Sequence, residues 1–341
     1  MKLGTAVILL ILLSSCSFYF TDGDYFFISR EDAVLPVWVK GNTESGVFII
    51  FNHGGPGETA SYVTNFKAMQ ALEEDYALVY WDQRCSGISQ GNPSTDSFTL
   101  EDFIADLDLL VDTIEYQYSP NSIFLYGVSW GGTLGTAYLT DSIRQQKISG
   151  FIEEGGGHNM VLLMELSSGI IQDHAEAMVA EGNETDFWQD AVDFFAAHPD
   201  STEWTAEDYY EYASYLRNAD PYTYETDEYP DEYAGPGGSD IFLSPISFAL
   251  FFNPGKLVPN FNILSLNLNP DMGFITLPVL LLWGEYDINS PAGLADKAEA
   301  FLGTPPADLR KVIIPNAGHN TFIDQPDTFI SEVETFIEAN K

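Results

Sequence analysis

The stretch Ile123-Phe124-Leu125-Tyr126-Gly127-Val128-Ser129-Trp130-Gly131-Gly132 decides how the rest of the chain is read. Four apolar residues run straight into Gly-x-Ser-x-Gly, and helix-forming sequence follows from about 133 to 140. A strand that turns tightly into a helix needs small residues on both sides of the bend, because backbone there crosses backbone. The bend lifts its central side chain above the sheet, and the helix behind it points its N-terminal dipole at developing negative charge. Ser129 is thus a candidate nucleophile. On its own it also reads as an ordinary turn serine, since Gly-x-Ser-x-Gly recurs by chance.

A serine hydroxyl needs a base, and the base needs an orienting acid. Of the five histidines, His319 in Pro315-Asn316-Ala317-Gly318-His319-Asn320 follows the last apolar run, where a loop can carry an imidazole over the serine. Asp287, in Gly284-Glu285-Tyr286-Asp287, follows the preceding run. The chain order Ser129, Asp287, His319 is that of the α/β hydrolases. Asp287 also reads as a helix cap near Pro291 and His319 as a surface loop residue. Glu285, Glu153 and Glu154 are weaker candidates for the acid.

Outward from this centre, strand-like and helical runs alternate. Residues 26–28 and 35–39 suggest a hairpin, and 47–51, 77–81, 123–126 and 148–152 read as buried strands. Phe103, Leu107, Leu110, Val111 and Ile114 recur at helical spacing after Asp102, in a helix that should end before Pro120. Strands buried on both faces and separated by helices imply an α/β fold with a mostly parallel sheet and helices on both faces. From about 156 to 273 this rhythm gives way to helical, aromatic and acidic sequence, and strands return at 278–283 and 311–314. The expectation is a core of residues 16–155 and 274–341, interrupted by a helical cap insertion over 156–273.

Phe51-Asn52-His53-Gly54-Gly55-Pro56-Gly57 ends its strand in three glycines around a proline. Backbone N–H groups there are able to approach an oxyanion, and the amides of Gly55 and Trp130 are the candidate pair. His53 is expected to shape this loop rather than act as a second base.

The formal charge of −38 excludes nucleic acid as a partner, since phosphate binding needs clustered Lys and Arg. No metal-ligand spacing or cofactor motif is present, so neither a metal nor a cofactor is expected. The opening MKLGTAVILLILLSSC has one lysine, an apolar run over 6–13 and then small residues, the pattern of a targeting segment too short to span a membrane comfortably. Leu13-Ser14-Ser15-Cys16 is similar to the lipobox of bacterial lipoproteins. The expectation is a signal peptide over 1–15, lipidation of Cys16, and an exported protein held at the cell envelope by an N-terminal lipid anchor, its only membrane contact. The alternative is an ordinary secretory signal with Cys16 incidental. Lipidation leaves Cys85 alone and a disulfide unlooked for.

HGGPG at 53–57, YWDQR-x-SG at 80–87, G-x-SWGG at 127–132, GEYD at 284–287 and AGH at 317–319 together resemble the prolyl aminopeptidase (proline iminopeptidase) group of α/β hydrolases, peptidase family S33. The resemblance spans about 47–320, the insertion excepted. It implies an α/β-hydrolase fold and release of an N-terminal residue, often proline, from a peptide or small amide through an acyl-enzyme. It also implies Ser129 as nucleophile, His319 as base then acid, Asp287 as orienter, and structural pairing for Asp82 and Arg84.

Such enzymes hold the substrate's free amine with cap carboxylates. Residues 156–273 carry 21 Asp and Glu against Arg217 and Lys256. Among them Glu207 and Glu225, with Glu153 and Glu154 nearby, are candidate substrate contacts, although most of these acids read as solvated surface. Two other functions stay open: an esterase or amide hydrolase without amine recognition, and a non-catalytic binding protein on the same scaffold. The family commonly carries glycine where this chain has Cys85, and a thiol beside Arg84 is expected to have a lowered pKa.

Overall fold

The computed structural model describes residues 23–220 and 265–341. A single sheet organises them. Its strands are β1 (Asp24–Arg30), β2 (Ala33–Gly41), β3 (Val47–Asn52), β4 (Ala77–Trp81), β5 (Gln90–Gly91), β6 (Ser122–Val128), β7 (Gly150–Glu154), β8 (Val279–Gly284) and β9 (Leu309–Ile314). They lie in the order β1-β2-β4-β3-β6-β7-β8-β9, with β5 beside β2. β2 pairs antiparallel with β1, β4 and β5, and every pairing from β4 through β9 is parallel. The expected mostly parallel sheet is therefore present, with an antiparallel hairpin at one end.

β3, β4, β6, β7 and β8 are buried along their whole length because helices cover both faces. Alternate residues of each strand serve opposite layers. Ile123 and Leu125 pack with Leu107, Leu110 and Val111 of α2 (Leu100–Tyr118) and Leu134 and Tyr138 of α3 (Trp130–Leu139). Phe124 and Tyr126 pack with Met69 and Leu72 of α1 (Lys67–Asp75) and with Phe329, Val333 and Phe336 near the C-terminus. Burying each such large apolar side chain is worth about 1.5–3 kcal/mol, so the two layers hold this sheet more firmly than strand propensity does. α2 is capped by Thr99, whose hydroxyl accepts from the Asp102 N–H, and stops at Tyr118 ahead of Pro120.

Between β7 and β8 the chain leaves the alternation. Its described part forms α4 (Met160–Glu181), α5 (Thr185–Ala197) and α6 (Ala206–Ala219). The excursion is closed at its base, where Met160 N donates to Leu266 O and Leu268 N to His158 O. Ser167 of α4 reaches across to the Ile288 carbonyl at 2.7 Å, fastening this layer to the loop after β8. The leader with Cys16, and the Tyr- and acid-rich run 222–229 with Glu225, lie outside the described residues.

Candidate active site

Five loop segments at the C-terminal ends of the parallel strands build one cleft. The first is the turn between β6 and α3. Ser129 has φ +56° and ψ −122°, a strained conformation for a residue with a side chain. The flanking glycines are demanded by space. A Cβ on Gly127 would lie 2.3 Å from the Gly131 carbonyl oxygen, and one on Gly131 would lie 1.9 Å from that of Asn52. The Ser129 N–H donates to Glu154 O at 2.8 Å, tying the bend to the end of β7.

The second and third segments follow β8 and β9. Asp287, buried, accepts from Ser290 N on Oδ1 at 2.8 Å and from His319 Nδ1 on Oδ2 at 2.9 Å. One carboxylate thus holds both its own loop and the imidazole, leaving Nε2 of His319 for chemistry. Gly155 backs the ring: a Cβ there would meet His319 Cε1 at 3.0 Å. Ser129 and His319 consequently flank the same end of β7, and the His319 side chain keeps 16% of its surface exposed to the cleft. The Ser129 hydroxyl and His319 are not hydrogen-bonded to each other here, a looseness usual before substrate arrives. Glu285, the alternative acid, is exposed and accepts instead from the Asn316 N–H.

Glu154 takes a different part. Fully buried, it accepts from Thr321 N at 2.5 Å and Thr321 Oγ1 at 2.6 Å, and also from the Tyr126 hydroxyl. It clamps the loop that carries His319. Burial pushes its carboxyl up to about 7, against these donors and the nearby His319. For His319, burial favours the neutral ring, but the charges of Asp287, Glu154 and Glu58 outweigh it and carry the pKa up to about 9.

The fourth segment, 53–58, follows β3. His53 is fully buried: Nδ1 donates to Gly54 O at 2.8 Å and Nε2 accepts from Gln83 N at 3.1 Å. Burial lowers its pKa to about 4, so it stays neutral and structural. Gly55 is exposed at the cleft and Trp130 N opens α3, positions compatible with the candidate oxyanion pair. The sequence reading missed Glu58. A Cβ on Gly54 would lie 2.7 Å from Glu58 Oε2 and 3.3 Å from Ser129 Cβ, so the carboxylate and the serine approach the same point above Gly54. The signal was there: an acid immediately after HGGPG.

The fifth segment, 82–87, braces the others. Asp82 accepts from Thr59 Oγ1, Ala60 N and Ile88 N at 2.7–2.9 Å. Gln83 donates to His53 O and accepts from Trp130 Nε1, joining the glycine loop to the serine turn. Arg84 meets Asp106 with two bonds of 2.6 and 2.7 Å and donates to Ser97 O. Asp82 is therefore held by three uncharged donors and Arg84 by Asp106, with no ion pair between the two. Cys85 corrects an expectation: burial pushes its thiol up to about 11, outweighing Arg84.

The acids proposed for substrate scatter. Glu153 is fully buried, accepting from Thr136 Oγ1 with His158 Nδ1 3.9 Å away, so substrate contact is replaced by a place beneath α3. Glu154 is equally enclosed. Glu207 is exposed on the first turn of α6. Among the described residues no group of three or more His, Cys, Asp or Glu is arranged to hold a metal.

Residues 47–326 match the family described as the alpha/beta hydrolase fold. The proline iminopeptidase of Neisseria meningitidis serogroup A is 27% identical over 317 residues, covering 88% of this chain and 92% of that one. A probable aminopeptidase of Bacillus subtilis is 33% identical over 103 residues, about a third of either chain. In fold, the crystal structure of a Mycobacterium smegmatis proline iminopeptidase overlays with a TM-score of 0.59 at 19% identity, covering 93% of this chain and 98% of that one.

Proposed function

The chain belongs to the alpha/beta hydrolase family, and from that premise we propose that it is a serine hydrolase of the aminopeptidase type, releasing an N-terminal residue from peptides or small amides. One observation carries the reading: the Asp287–His319 pair, bonded at 2.9 Å, faces the strained Ser129 turn across the end of β7. Ser129 Oγ attacks the scissile carbonyl while its proton passes to His319 Nε2, and the carbonyl electron pair moves onto oxygen, held by the amides of Gly55 and Trp130. Collapse breaks the C–N bond, the leaving amine takes the proton from His319, and water repeats the sequence to free the acyl group. Asp287 fixes the tautomer and supports the imidazolium. Likeness to the iminopeptidase of Neisseria meningitidis along nearly its full length supports an exopeptidase over an esterase.

A serine-directed fluorophosphonate should label the protein and fail to label Ser129→Ala, which a binding protein on this scaffold would not do. Aminoacyl arylamides should turn over at least tenfold faster than their N-acetylated forms; equal turnover, or preference for short acyl esters, sinks the exopeptidase reading. The leader supports a further proposal of export with Cys16 lipidated, which incorporation of labelled palmitate in wild type but not Cys16→Ser would test.

A further inference from the structure

Glu58 is an acid beside the reacting centre that the mechanism leaves idle. Its carboxylate and Ser129 Cβ both lie within van der Waals reach of a single point above Gly54. Among the described residues it forms no hydrogen bond with its side chain; burial raises its pKa, and the charge of His319 opposes that rise. It is half-buried. A negative charge beside a carbonyl that must itself become negative opposes catalysis on a neutral substrate. It stops opposing catalysis if the substrate brings a cation to the same place. In an aminoacyl substrate the ammonium nitrogen is two bonds from the scissile carbonyl carbon, roughly 2.5 Å away. With that carbon at Ser129, an ammonium turned toward Gly54 comes within reach of the Glu58 carboxylate.

We propose that Glu58, in the loop after β3, is the specificity-determining anchor for the substrate's free α-ammonium group. The inference rests on the aminopeptidase reading and relocates amine recognition from the cap acids to the glycine loop. It carries a second consequence. His319 is faced by Asp287 from the β8 loop, Glu154 from β7, Glu58 from the β3 loop and Asp324 from the one-turn helix after it. Engaging Glu58 with an ammonium offsets one of the charges that keep the imidazole protonated, so a bound substrate with a free amine helps to release the base.

The test is a matched pair of substrates, an alanyl arylamide and its N-acetyl form, on wild type, Glu58→Gln and Glu58→Asp. Wild type should prefer the free amine. Glu58→Gln should lose about 10- to 100-fold in kcat/KM on the free-amine substrate while the N-acetyl substrate holds or gains, as expected for one charge-assisted hydrogen bond. Glu58→Asp, whose carboxylate is drawn back by one carbon, should fall between, and it carries the test if Glu58→Gln does not fold. An undiminished wild-type preference in Glu58→Gln, or in Glu58→Asp where Glu58→Gln does not fold, or an equal fall on both substrates, overturns the role of Glu58 and leaves the exopeptidase reading standing. Absence of any preference in wild type removes that reading, and this inference with it. As a second readout, the ascending limb of kcat, set by deprotonation of His319, should have its midpoint at a lower pH than that of kcat/KM in wild type and coincide with it in Glu58→Gln; coinciding limbs in wild type count against the proposal.

Discussion

Two polar assemblies meet beneath the cleft, and they spend their hydrogen bonds differently. Around Asp82, Gln83 and Arg84 the capacity is used up: Asp82 takes three donors, Gln83 spans two loops, and Arg84 is matched to Asp106 on both oxygens. Among the described residues, acids accumulate around His319 and valences stay open: Nε2 of the ring, the Ser129 hydroxyl and the Glu58 carboxylate. A motif rich in charged residues is therefore no guide to where bonds are made and broken. The first assembly is a brace and the second the proposed reactive site, and perturbing each should move a different observable.

The largest effect belongs to the reactive side. Ser129→Ala should cut kcat for an arylamide by about 10⁴-fold or more. Its melting curve should move by less than about 1 kcal/mol, because the hydroxyl spans no packed interface. Loss of folding in step with loss of activity would erase the distinction between the assemblies.

The brace should answer in the opposite sense. Arg84 and Asp106 are both buried, so Asp106→Asn removes the carboxylate that meets the guanidinium on both oxygens and leaves Asp102, 3.7 Å from Nη1, as its remaining counter-charge, a loss of about 3 kcal/mol read in urea unfolding. Enzyme that remains folded should keep its kcat. A large fall in kcat at full folding would place the 82–84 segment inside the chemistry.

The pH profile sharpens the comparison further. His319 must be neutral to take a proton, and its pKa is raised to about 9. On an N-acetyl arylamide, which carries no titrating amine, kcat/KM should therefore climb with pH and level off above about 9. Glu154→Gln keeps acceptor and donor groups for Thr321 and Tyr126 but removes one of the charges holding the proton on His319. The limb should move toward neutral pH. A limb that stays put would make Glu154 a clamp for the loop and nothing more.

Much of this was legible in the sequence, for reasons that differ by element. Central strands announce themselves as uninterrupted apolar runs because both faces are covered, and the turn at 127–131 because no side chain fits at its glycines. The positions of Asp287 and His319 followed from counting strands. Glu153 and Glu154 were not separable by sequence: adjacent on one strand they face opposite layers, and which neighbours a buried carboxylate finds depends on contacts over a hundred residues away, such as Thr321. Glu58 was obscured by abundance, since one acid among 51 carries no mark of what lies across the loop from it.

The smallest expected effect tests the brace from within. Cys85 has φ +55°, in the left-handed region that costs a side chain roughly 1 kcal/mol relative to glycine. It sits next to Arg84, and its thiol, raised to about 11, is un-ionised at neutral pH. Cys85→Gly should relieve the backbone while removing a small apolar group packed against the core, for a net gain of no more than about 1 kcal/mol in urea unfolding. Alkylation by iodoacetamide at pH 7 should be slow in the native protein, and kcat unchanged in the variant. A variant that folds well but loses turnover would mean that the thiol, and with it this segment, reaches the substrate, and the division between brace and reactive site would have to be redrawn at residue 85.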